Sequence, residues 1–167
     1  EPLQKACRSL EIGQVGLNAG PAEARFVSMT DAELAKGVEV ATVDRLFQVA
    51  EALRRGMTVE ELHERTRIDP WFLDQMLIVV EQRQALEAVA AGAGSPAAAL
   101  AALGRAGWRR TKQLGFSDTQ VAHLLGCTEA EARAKEAELR EQLSIEGGLA
   151  HLSGSIGADL GELDPHR

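Results

Sequence analysis

Tyrosine is absent from these 167 residues, and all aromatics together make up 4% of them. An interior built with so few large rings is supplied by Ala and Leu. Hydrophobic residues nevertheless reach 45% of the chain. Ala, Leu, Glu, Gln and Arg lose least on entering a helix, so this composition favours helices. Cysteine is nearly absent too. Cys7 and Cys127 lie far apart and match no metal-binding spacing. They read as reduced, packed side chains of a cytoplasmic protein. No apolar run approaches the ~20 residues of a membrane span, and no signal-peptide pattern opens the chain. The first residue is Glu1, so the sequence reads as a piece of a longer polypeptide.

Basic charge is scarce as well. Eighteen Lys and Arg face 25 Asp and Glu, for a net charge of −7. A binder of phosphate backbones concentrates Lys and Arg on one face to release counterions. A nucleic-acid partner is therefore not expected, nor is a membrane. No Gly-rich phosphate loop is present. His63, His123, His151 and His166 are scattered, and the first two fall on polar helix sides where solvated imidazoles belong. Glu60, Glu61 and Glu64 read as a solvated helix face. Trp71 and Trp108 read as core or interface rather than a ligand platform. The residues themselves offer no catalytic, cofactor-binding or metal site.

Helix signals are what the sequence has in quantity. Leu3, Ala6, Cys7 and Leu10 share one face of an opening helix that ends at Gly13. Thr30 and Glu33, Thr58 and Glu61, and Thr128 and Glu131 form capping boxes, and Ser117 with Gln120 has the same form. The first box predicts a short helix to Gly37, and the second a short helix through Leu62. TVDRLFQVAEALRRG at 42–56 carries Leu46, Phe47, Val49, Ala50 and Leu53 at helical spacing and stops at Gly56. Asp69 followed by Pro70 is a strong start signal, because Asp accepts orphan amides and Pro has none to orphan. The helix behind it is apolar nearly all round, which predicts the central and most buried one. Ser95 and Pro96 restart a helix after GAGSP, and another is expected near 105–114.

The pattern also repeats. Laying Gly56 on Gly115 brings Thr58 onto Ser117, Glu61 onto Gln120 and Asp69 onto Thr128, an offset of 59 residues. The fold class expected is all-α, with two similar helical subdomains, duplicated helix-turn-helix-like units, around a central buried helix. The stretch GFSDTQVAHLLGC at 115–127 raises the question of DNA reading. A recognition helix places its first turns on bases and phosphates. The helix after Thr128 instead begins with Glu129 and Glu131, and its counterpart with Pro-Trp-Phe-Leu, read as core material. A DNA-binding regulator is thus the weakest reading, and a free-standing helical interaction or regulatory module the main alternative.

TVDRLFQVAEALRRGMTVEELHERTRIDPWFLDQ at 42–75 resembles the signature of the carbamoyl phosphate synthetase large chain. KQLGFSDTQVAHLLG at 112–126 and EPLQKACRSLEIG at the start are similar to further stretches of the same region. The resemblance implies the all-helical oligomerization, or connection, domain between two ATP-grasp synthetase halves. Residues 1–13 would end the preceding half, 14–143 would be the helical domain, and 144–167 a Gly-rich tail. That tail departs from the family and reads as disordered, either divergent or appended artificially. The resemblance further implies a non-catalytic scaffold that links the two halves, self-associates and has a glutaminase small chain as parent partner. The parent enzyme would use ATP with Mg or Mn; this segment carries no cofactor residues of the family.

Overall fold

The computed structural model describes residues 2–9, 15–20 and 23–142. Leu10, the expected stop at Gly13 and the tail at 144–167 lie outside them. The described residues are all-α, with helices α1 (Pro2–Ser9), α2 (Ala24–Val27), α3 (Asp31–Glu39), α4 (Arg45–Arg54), α5 (Val59–Thr66), α6 (Pro70–Gly92), α7 (Pro96–Ala102), α8 (Gly104–Gln113) and α9 (Asp118–Leu125). A further helix, α10, covers 129–142. Residues through Ala132 form one compact unit. The part of α10 from Arg133 belongs to a second, where Lys135 pairs with Glu138 and Arg140 with Glu136.

Local signals set the helix starts. Thr30, Thr58 and Ser117 each accept from the amide three residues on, while Glu33, Glu61 and Gln120 reach back. Thr128 and Glu131 do the same at the start of α10. Asp69 takes the Trp71 amide with Pro70 in the first turn of α6, and Ser95 caps α7. Gly37 is not a stop. It lies inside α3, where a Cβ would collide with the Gln48 side chain, so its role is close helix packing.

The geometry of α4–α5 recurs in α8–α9 at the same 59-residue offset, down to the left-handed caps at Arg67 (φ 59°) and Gly126 (φ 70°). Gly126 adopts that conformation freely, whereas Arg67 carries a Cβ in the same place. The elements before these corners do not correspond: α3 and α7 start at unrelated offsets.

The central element is α6, which packs against α4, α5, α7 and α9. Leu73, Met76, Val79, Val80 and Leu86 are its buried residues, together with polar Gln82 and Arg83. Gln82 is served by Thr111 and Arg110 of α8. Phe26 stacks on Phe47, closing α2 onto α4. In α1, Gln4 and Cys7 are buried while Ala6 is exposed, so a glutamine occupies part of the face expected to be aliphatic. Gln4 accepts from the Leu17 amide at 2.7 Å, and Gln120 of α9 donates to Asn18 O at 2.7 Å. A Cβ on Gly16 would strike both glutamines. Gly16→Ala should therefore cost roughly 3 kcal/mol, combining overpacking with lost hydrogen bonds. Chemical denaturation measures this directly, and a loss below about 1 kcal/mol would show that the loop can shift freely.

Candidate interaction surface

Four helix ends meet at one end of the first unit. Arg45, at the start of α4, donates from Nε to Val38 O at 2.7 Å and from Nη2 to Thr66 O at 2.6 Å. Its guanidinium thus sits at the C-terminal ends of α3 and α5, where the helix dipoles favour a cation. Thr66 Oγ1 donates to Leu62 O and accepts from the Ile68 amide, carrying the chain into the Asp69 cap. His63 Nδ1 lies 2.7 Å from Ile68 O, so this imidazole is a half-buried brace rather than a solvated side chain.

The segments joined in this way, 38–43 and 66–71, carry three exposed apolar side chains: Val40 at 53%, Val43 at 82% and Trp71 at 67%. Single exposed valines need no explanation. An indole left in water is different, because it forfeits a large burial energy and because Trp is enriched at binding hot spots. Of the two readings of Trp71, core or interface, the core one is therefore corrected: Leu73 and Met76 face the interior, and Trp71, two residues before Leu73, points away from it. The Asp69 cap fixes the backbone at Trp71, with the amide held at 2.8 Å. Within and next to these two segments, Glu39 and Arg65 form an ion pair of 2.7 Å that is exposed on both sides and adds charge to the surface. Fixed apolar anchors together with surface charge form the arrangement of a protein–protein contact.

Reactive groups do not converge elsewhere among the described residues. No three His, Cys, Asp or Glu side chains are grouped to hold a metal there. Burial pushes the Cys7 thiol up against the opposing charge of Arg8, and burial with the Glu131 charge pushes Cys127 up as well. Both stay protonated near neutrality and are weak nucleophiles. Trp108 is buried in α8, in agreement with a packing role. His123 and Glu60 are exposed, and Glu61 is engaged in its cap. An open groove of about 260 Å³ runs beside Asp31, Leu34, Arg55, Met57 and Glu61. Arg55 has all five of its N–H groups engaged, by Glu51, Asp31 and the carbonyls of Phe26, Val27 and Met29. It is a fastener of α2 and α3 to α4, not a free cation for a ligand.

Among the described residues these features define an all-helical domain with three exposed apolar side chains on braced helix ends. The sequence pattern of the carbamoyl-phosphate synthetase large chain, oligomerisation domain, matches residues 1–140, and the chain belongs to that family. It is 35% identical over 133 residues to the carbamoyl phosphate synthase large chain of Archaeoglobus fulgidus, covering 80% of this chain and 12% of that protein. The large chain of Xanthomonas axonopodis pv. citri is 39% identical over 141 residues, covering 84% and 12%. The large chain's N-terminal section from Methanopyrus kandleri is 37% identical over 142 residues, covering 80% and 24%. The chain thus spans about an eighth of the length of the full large chains that it matches.

Proposed function

We propose that this domain is a non-catalytic helical scaffold that links two synthetase halves and self-associates through the end bearing Val40, Val43 and Trp71. The observation that carries the reading is the family match over residues 1–140, whose description names oligomerisation. The exposed, braced Trp71 supports it by supplying an anchor of the kind such contacts use.

Helix α1 is proposed as the last piece of the preceding half. Arg8 Nη1 donates to Gly115 O at 2.8 Å, and Gln4 joins the loop at Leu17, so α1 is held to the helical domain at two points. A connector needs such grips to keep its neighbour at a fixed separation. The parent enzyme is proposed to be a cytoplasmic ATP-dependent carbamoyl phosphate synthetase, using Mg or Mn and a glutaminase small chain. Those activities would reside outside this segment.

Sedimentation equilibrium over a hundredfold concentration range tests the self-association. The chain should show a reversible dimer or larger species. Trp71→Asp should weaken it by about 30-fold or more, the scale of a hot-spot loss near 2 kcal/mol. A monomer at every concentration would remove self-association from the isolated domain and leave the linking role alone. Association unchanged in Trp71→Asp would place the contact on another face.

A further inference from the structure

Residues 16–20 are buried in succession although they form no helix. Backbone that is shut away from solvent must find its hydrogen-bond partners within the protein. Here side chains supply them. The Leu17 amide donates to Gln4, the Asn18 carbonyl accepts from Gln120, and the Ala19 amide donates to Glu23 Oε2 at 2.6 Å. Ala19 takes a left-handed φ of 63°. One group is left over. Asn18 is only 6% exposed, yet neither its Oδ1 nor its Nδ2 has a protein partner.

Beside it lies a cavity of about 10 Å³ bounded by Asn18, Glu23, Glu51 and Arg83, with Phe26 and Phe47 as apolar walls. That volume is about one water sphere, the least that holds a water molecule. The charged wall has acceptor capacity to spare. Glu23 Oε1 accepts from Arg83 Nη2, and Glu51 Oε2 accepts from Arg54 Nε, each leaving one lone pair directed elsewhere.

We propose that Asn18, with the carboxylates of Glu23 and Glu51, forms a binding site for a single structural water. The water accepts from Asn18 Nδ2 and donates to the carboxylates, joining the buried loop to Glu23 at the start of α2 and to Glu51 of α4. A metal cation does not suit the site, because Arg83 already neutralises Glu23 and Arg54 with Arg55 neutralises Glu51. The ring walls add no lone pairs.

A crystal structure of the 167-residue chain at about 1.5 Å resolution tests this. A peak is expected within about 2.7–3.2 Å of the Asn18 amide, at a density fitting oxygen. Asn18→Leu, crystallised in the same way, should lose it. A cavity without density, an Asn18 side chain turned to another partner, or a peak that persists in Asn18→Leu would each overturn the proposal. Should Asn18→Leu fail to fold, the map of the unaltered chain decides alone.

Discussion

Met76→Ala should cost this domain about 2–5 kcal/mol, the range for emptying a filled core position. Met76 is fully buried on the one helix that touches α4, α5, α7 and α9. Its removal leaves a void that several elements would have to close together. A shift of that size lowers the melting temperature by roughly 10 °C in a domain of this length. Urea midpoints would report it, with an unchanged slope showing that the compactness of both states is retained. Met76→Leu, which conserves volume, should cost under about 1.5 kcal/mol. A loss below 1 kcal/mol for the alanine variant would mean that α6 is not the hub.

Glu51→Ala should be the second large effect, about 2–3 kcal/mol, because it strips the shared partner from two arginines. Glu51 is 5% exposed and accepts from Arg54 at 2.6 and 2.7 Å and from Arg55 at 2.7 Å. Both guanidiniums reach solvent in part, which keeps the loss below that of a fully buried pair. The same site sets a pH response. Burial alone would push the Glu51 carboxyl up, but hydrogen bonds and charge from Arg54 and Arg55 outweigh it and hold the group below the usual carboxylate range. A carboxylate depressed in the folded state stabilises above its unfolded pKa of about 4.3. That contribution disappears as pH falls through the lower folded value. Amide hydrogen bonds from Thr30 and Thr128 lower Glu33 and Glu131 as well, so the caps act in the same direction. Denaturation midpoints should therefore drop on acidification below about pH 4, and Glu51→Gln should flatten the drop. A Glu51→Gln protein with the same acid slope would assign the response to other carboxylates.

Most helix boundaries were legible because they are written locally. A cap and its partner sit three residues apart, and Asp-Pro or Ser-Pro marks a start whatever lies across the fold. The all-α class followed from these signals together with composition. Gly37 misled because a glycine that ends a helix and one that lets another side chain approach look alike in sequence; only Gln48 distinguishes them. Trp71 misled for a related reason. A helix apolar on nearly every side does not say which side faces out, and the indole went to solvent while Leu73 and Met76 went inside. Gln4 and Asn18 left no signal at all, and Gln120 signalled only its cap on Ser117. Polar residues at these positions read as surface until partners more than 100 residues away are known.

Those partners have a kinetic consequence. Gln4 and Gln120 are 116 residues apart, and Arg8 and Gly115 are 107 apart. The contacts that complete the 15–20 loop thus close loops of more than 100 residues, whereas the capped corners form from neighbours. Closing long loops is slow because its entropy cost comes before any contact rewards it. The corners should therefore be present in the folding transition state, and the glutamine loop should be assembled after it. Substitutions in that loop would then speed unfolding and leave the folding rate nearly unchanged. In a chain emerging from the ribosome, the loop stays open until α9 has been made, so α1 lacks its Arg8 grip while the 107 residues up to Gly115 are synthesised.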